Sequence, residues 1–179
     1  ITVGTYGEGN GGEVSLDVQR LRADNKALVS SQSLATENGG DAGAIQITAE
    51  EIYLNNLAEI TTSTDGDGKA GEINLNTDRL QLEGKASVSS KSNATENGGD
   101  AGTIHINATD SIRLSGDSAV TTEAKGAGGG QIFAKAGDQI YLFQGNITSS
   151  VLLGEGNGGD VETDSKFVIL NHGNITANA

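Results

Sequence analysis

The sequence has no cysteine, proline, methionine or tryptophan in 179 residues, and only three tyrosines and three phenylalanines. The absence of cysteine excludes a disulfide framework and a thiolate metal site. Because large aromatic side chains are scarce, a hydrophobic core must be narrow and filled by Val, Ile, Leu and Ala. With two histidines and no cysteine, most metal and nucleophile chemistry lacks its usual side chains.

Positive charge is also scarce, since 11 Lys and Arg face 24 Asp and Glu, a net charge of −13. This excess argues against binding of nucleic acid or of an anionic membrane surface. No apolar run approaches the ~20 residues of a membrane span, and no signal peptide opens the chain. We therefore expect no nucleic-acid partner and no membrane span.

The sequence does contain an internal repeat that runs through its whole length. Its units begin at anchor glycines spaced 31, 28, 31, 28 and 29 residues apart. The anchor glycines are Gly12, Gly43, Gly71, Gly102, Gly130 and Gly159. Residues 1–179 are thus predicted to form a single repeat segment. Because no polar capping element is recognisable at either end, we expect a fragment of a longer solenoid.

Each unit contains three short apolar stretches with period-2 alternation, which indicates strands, and none has helical periodicity. Stacked units would bury these stretches together, so we predict an all-β right-handed parallel β-helix of about six turns, with three short strands per turn. One inward ladder is predicted at Val14, Ile45, Ile73, Ile104, Ile132 and Val161. A second is predicted at Leu21, Ile52, Leu80, Ile112, Ile140 and Val168. The Gly-rich loops are expected at one corner, where Gly and Asn would supply positive φ.

These units resemble the exoprotein repeats of two-partner secretion systems, the filamentous haemagglutinin-like adhesins of Gram-negative bacteria. The resemblance rests on the pattern G-x-I-x-I…L-x-L…A-x-I/V-[ST]-[ST] and on the phrases GNGGDV, GDAGTIHI and GKAGEINL. It implies a secreted or outer-cell-surface β-helical rod, exported in its parent protein through an outer-membrane secretion pore. It carries over no catalytic residue.

Two outward columns are candidate lateral binding faces. A hydroxyl column on the third strand suits ice or a crystalline polysaccharide, although small β-forming residues also suit an ordinary solvated strand. Its central members are Ser30, Thr61, Ser89, Thr121 and Thr148. A column on the second strand suits stacking on sugars or a protein contact, although ordinary stacking between rungs also explains it. Its members are Arg22, Tyr53, Gln81, Arg113 and Tyr141, followed by Ile169.

Acidic side chains offer a weak alternative, a structural calcium ion. The two candidate groups are Asp65, Asp67 and Glu72, and Asp160, Glu162 and Asp164. Neither matches an EF-hand or a calcium-binding nonapeptide repeat, so solvated acidic loops are the simpler interpretation and no cofactor is expected.

The sequence favours a non-catalytic structural or adhesive rod, with a surface glycan or protein of a host or neighbouring cell as its partner. One alternative is a polysaccharide-binding or polysaccharide-active β-helix, and a second is an ice- or surface-binding module. Catalysis is not expected because paired carboxylates do not recur from unit to unit. End-to-end self-association is expected from unpaired strands at the ends of the rod.

Overall fold

The computed structural model describes residues 1–96, 98–153 and 156–179. Within these ranges the chain is all-β, with strands β1 to β16 and no helix. All strand pairs are parallel and join successive coils. The predicted parallel β-helix of about six turns is therefore confirmed. The described part of the chain has no helix that could span a membrane.

The strands form three faces. The first face consists of β2 (Val14–Asp17), β11 (Ile132–Ala136), β14 (Val161–Asp164) and the first halves of β5 (Ile45–Leu54), β7 (Ile73–Leu82) and β9 (Ile104–Ser115). The second face consists of β3 (Arg20–Ala23), β12 (Gln139–Phe143), β15 (Phe167–Asn171) and the second halves of those three long strands. The third face consists of β1 (Thr2–Thr5), β4 (Leu28–Ser33), β6 (Glu59–Thr64), β8 (Ser87–Ser92), β10 (Ala119–Ala124), β13 (Asn146–Val151) and β16 (Asn174–Asn178).

The three central coils differ from the prediction of three separate strands per turn. In β5, β7 and β9 the first two stretches join into one bent strand of 10 to 12 residues. Both halves pair with the neighbouring coils, and the register shifts only between Thr77 and Arg79. This shift belongs to the β7–β9 pair, where a β-bulge accommodates one extra residue of β9. The β5–β7 pair passes the same corner without a shift, so the long strands do not depend on a bulge.

Both predicted inward ladders are confirmed by the strand register. In the central coils their side chains are fully buried, as Ile45, Ile73 and Ile104 show with 0% exposure. Like side chains thus stack on like side chains about 4.8 Å apart along the axis. The core is a continuous column without large aromatic rings, as the composition requires.

The anchor glycines stack on one another where each Gly-rich loop enters the first face. A Cβ atom added to Gly43 would collide with the backbone carbonyl of Gly12, and one added to Gly71 would collide with that of Gly43. The same overlap recurs at the later anchors. Because sheet pairing fixes the backbone on both sides, a larger residue cannot fit unless a coil shifts.

A column of buried hydroxyls reaches these glycines from the third face. Each donates a hydrogen bond of 2.7 to 3.0 Å to the carbonyl oxygen of Gly12, Gly71 or Gly130. The donors, all with 0% exposure, are Ser31, Thr62, Ser90, Thr122 and Ser149. Ser90 also accepts a hydrogen bond of 2.9 Å from the Gly102 N–H. These contacts tie the third face to the loop corner across the core.

Side-chain oxygens add a further ladder within the loops. Asn10 Oδ1 accepts the backbone N–H of Asp41 at 3.0 Å, and Asp41 Oδ1 accepts that of Lys69 at 2.7 Å. Two coils later, Asp100 Oδ1 accepts the N–H of Gly128 at 2.9 Å. An Asn or Asp two residues before an anchor glycine therefore satisfies a backbone donor of the next coil.

The interpretation of the Gly-rich loops as the positive-φ corner is wrong. Among their described residues only Asn38 has a positive φ. Positive φ occurs instead at the corner between the second and third faces, as at Asn56, Lys85 and His172. The loop glycines are needed because another backbone passes too close for a Cβ, and the left-handed corner is formed largely by non-glycine residues.

We expect Gly102→Ala to destabilise the fold by about 1–3 kcal/mol, because the new methyl group would overlap the Gly71 carbonyl. Gly7→Ala is the matched control, since a Cβ there meets no atom within 4 Å. Its effect should stay within about 1 kcal/mol. Urea unfolding measures both variants, and equal midpoints would contradict the role given to the anchor glycines.

We expect Ser90→Ala to cost about 1–3 kcal/mol, because it leaves the Gly102 N–H without its partner and removes the hydrogen bond to Gly71. Ser33→Ala is the control, since the buried Ser33 Oγ has no partner among the described residues. Removing that hydroxyl should be neutral or stabilising. A larger loss for Ser33→Ala than for Ser90→Ala in thermal unfolding would overturn this account.

Candidate functional site

The second face carries the predicted Arg–Tyr column, and the structure places its members in register. The column runs through Arg22, Tyr53, Gln81, Arg113, Tyr141 and Ile169. The Arg22 guanidinium carbon lies 5.0 Å from the Tyr53 ring centroid, and that of Arg113 lies 5.1 Å from the Tyr141 centroid. Both distances allow cation–π attraction. Stacking between rungs, the alternative interpretation from sequence, is therefore present at two places.

The two Arg–Tyr pairs have different surroundings. Tyr53 Oη donates a hydrogen bond of 2.9 Å to Glu83, and Gln81 Nε2 donates one of 2.6 Å to the other oxygen of that carboxylate. The hydrogen bond, together with desolvation and the negative charge of Glu83, raises the pKa of Tyr53 above its ordinary value. The Arg22 charge opposes this shift. The N-terminal pair is thus part of a network that already contains a carboxylate.

All four arginines of this acidic chain lie on the second face. Arg20 lies 3.7 Å from Glu51, and Arg79 lies 4.0 Å from Asp110. Arg22 and Arg113, which stack on the tyrosines, occupy the middle column. The repeat therefore places the guanidinium groups on one side of the coil. This grouping becomes visible only when the outward positions of successive units are aligned.

The hydroxyl column of the third face has the predicted register but not the exposure that an ice-binding array requires. Ser30, Thr61 and Ser89 are 0%, 8% and 1% exposed, and Thr61 shares a hydrogen bond of 2.9 Å with Ser89. Thr121 and Thr148 are half-buried. Small side chains in this column lie between longer ones two residues away on the same face, such as Leu28 and Gln32 beside Ser30.

A groove that the sequence does not single out follows the corner between the first and second faces. Its volume is about 690 Å³, and it spans four coils. Acids, amides and hydroxyls line it, including Asp17, Glu50, Asn76 and Asp78. Thr109 donates a hydrogen bond to Asp78, so part of this lining is already paired. The groove offers hydrogen-bonding groups without an aromatic platform.

The first face also carries an aromatic pair that the sequence alone does not reveal. The rings of His105 and Phe133 stack in parallel, with centroids 4.9 Å apart and planes 5° apart. His105 Nε2 lies 3.3 Å from Glu72 Oε1. The strand register places Asn74 before this pair and Glu162 after it. Only alignment of the outward columns could have brought these residues together.

Four of the six acidic residues weighed as calcium ligands have other partners. Glu72 lies beside His105, Asp164 lies 3.0 Å from Lys135, and Asp65 accepts a hydrogen bond of 2.9 Å from Asn93. Asp160 accepts one of 3.3 Å from Gln131. In the part of the chain that the structure describes, no three His, Cys, Asp or Glu side chains group closely enough to hold a metal ion.

The last coil leaves its core positions open. Val168 and Leu170, which continue buried ladders, are 44% and 49% exposed. Phe167 and Ile169, on the outward side of the same strand, are 59% and 43% exposed. End-to-end self-association through this surface stays a prediction.

Comparisons with family models, with curated protein sequences and with solved structures find no significant match to this chain.

The network around Tyr53 gives a prediction about alkaline pH. Because its folded pKa is raised, the stability it contributes is complete below the ordinary tyrosine pKa of about 10 and is lost as pH rises through the folded value. We expect Glu83→Gln to lower the folded pKa, since it removes the carboxylate that opposes phenolate formation. The absorbance of phenolate is followed against pH for each protein, and subtracting the curve of its Tyr53→Phe variant isolates Tyr53. An unchanged titration midpoint of Tyr53 in Glu83→Gln would refute the role given to Glu83.

Proposed function

We propose that this chain is a rigid, non-catalytic rod segment of a secreted or cell-surface bacterial exoprotein, which holds binding surfaces away from the cell. One observation carries the proposal: the ladders keep their register through about six coils. A stack of this kind has a fixed axial rise and a continuous core, so side chains on its faces stay at set positions. The repeat pattern, with its resemblance to filamentous haemagglutinin-like proteins, supports the exported location.

The rod proposal is tested by mechanical unfolding of the chain, held at residues 1 and 179 in optical tweezers. Each coil interacts mainly with its two neighbours, so we expect stepwise extension. One coil of 28 to 31 residues should release roughly 100 Å of contour length. Steps of unrelated length, or a compliant molecule that extends at low force without steps, would contradict a rigid stack of coils.

The acidic groove at the first corner favours a second candidate function, a polysaccharide-active β-helix. Glycoside hydrolysis needs two carboxylates at a fixed separation across the scissile bond. Along this groove, Asp17 is followed by Thr48, Asn76 and Asn107 in one column, while Glu50 and Asp78 occupy the same position of successive coils in the next. Asp78 already accepts a hydrogen bond from Thr109, so this pair is not free for acid and base roles. We expect no new reducing ends from pectin, alginate or chondroitin, and cleavage by the purified chain that disappears in Asp78→Asn would establish an enzyme.

The ice-binding alternative has less support, because three members of the hydroxyl column are buried. Thermal hysteresis of the purified chain measures this activity directly.

A further inference from the structure

We propose that the C-terminal part of the second face binds a glycan that carries carboxylate groups. The site is a grid of three strands with three outward residues each. Its rows are Ser111, Gln139 and Phe167, then Arg113, Tyr141 and Ile169, then Ser115, Phe143 and Asn171. The inference rests on the proposed adhesive rod and names a face and a class of ligand for it.

Charge is the first argument. The chain has a net charge of −13, yet the grid contains no acidic residue and one arginine. The carboxylates of Asp110 and Asp138 precede the grid in sequence and lie beside Arg79 and Lys166, at 4.0 and 3.7 Å. Arg113 is thus the free positive charge of this patch among the residues described there, and it complements an anion.

The geometry of Arg113 is the second argument. Its guanidinium carbon lies 5.1 Å from the Tyr141 ring centroid, so the side chain is held over the ring while remaining exposed. A stacked guanidinium keeps its N–H edges available to a planar anion, and a carboxylate matches those edges with two parallel hydrogen bonds. Because the ring restrains the side chain, less conformational freedom is lost on binding.

The apolar neighbours supply the rest of a sugar site. Phe143 is 38% exposed, and with Phe167 and Ile169 of the last coil it surrounds the Arg113–Tyr141 pair in the grid. Such surfaces accept the C–H face of a sugar ring, while the amides of Gln139 and Asn171 provide hydrogen bonds for hydroxyls. Carboxylate, hydroxyl and apolar C–H groups occur together in a uronic acid.

The N-terminal Arg22–Tyr53 pair is an internal control. It has the same stacking distance, 5.0 Å, but Tyr53 and Gln81 both donate to the Glu83 carboxylate, and Glu51 lies beside Arg20. Glu83 also follows the strand that pairs with Arg113, so its charge alone does not separate the two sites. The difference is that Tyr53 is held by a carboxylate at its hydroxyl, whereas Tyr141 makes no side-chain hydrogen bond to the described residues. The proposal therefore assigns binding to Arg113 and not to Arg22.

The test is a titration of the ¹⁵N-labelled chain with an alginate hexamer, using cellohexaose as the uncharged probe. We expect alginate to shift the amide signals of the grid, and the affinity to fall as salt is raised, because exposed charges are screened over about 8 Å at physiological ionic strength. Arg113→Gln should weaken binding about tenfold or more. Arg22→Gln should change it less than twofold, and both variants should keep the unfolding midpoint of the parent.

Several outcomes would overturn the proposal. Two concern affinity: both variants weaken alginate binding equally, or cellohexaose binds as tightly as alginate. Two concern location: alginate shifts amide signals only on another face, or it does not bind at all. Shifts of the grid that depend only on protein concentration would identify a second copy of the chain as the occupant instead. None of these results alters the stepwise unfolding expected of the rod, so failure of the glycan site and failure of the proposed rod are distinguishable.

Discussion

The contact on which the rest of the structure depends is the stacking of each anchor glycine on the carbonyl of the one before it. This close approach sets the distance between coils at the loop corner, and hydroxyls such as Ser90 and Thr122 bind the same backbone from the third face. Because these hydrogen bonds join the third face to the loop corner, the apolar ladders of successive coils are held in register. A coil cannot slip by one residue without exposing its inward column and breaking these contacts.

A core held by backbone stacking leaves the outward columns free to vary. The inward ladders use a few similar side chains, while the outward position next to them changes from Asn74 to His105, Phe133 and Glu162 over four coils. Neighbouring coils can therefore carry different chemistry on one rigid surface. This separation explains why the repeat defines the fold strongly and the function weakly, since function must reside in particular patches of particular coils.

The sequence was sufficient to predict the fold class, the number of turns and both inward ladders, because period-2 alternation and repeat spacing are local signals. It did not predict the bent long strands, since whether two apolar stretches join into one strand depends on backbone pairing with the neighbouring coils at the corner. The positive-φ corner was placed wrongly because glycine can serve either to adopt a positive φ or to let another backbone pass closely. At Gly43 the second use applies, and only the neighbouring coil shows it. The candidate columns were aligned correctly, but burial of Ser30 and pairing of Tyr53 with Glu83 depend on neighbouring side chains.

The distribution of charge follows from the same architecture. Electrostatic interactions between exposed groups extend only about 8 Å at physiological ionic strength, so the net charge of −13 does not determine what a single face attracts. A stack with outward columns can keep a strongly acidic surface over most of the rod and still present Arg113 without an acidic neighbour in its grid. The excess charge favours solubility of the whole chain, whereas selectivity depends on which coil places a cation beside exposed apolar groups. In a solenoid, a change of a single outward residue can therefore create or remove a binding patch while the core and the register stay as they are.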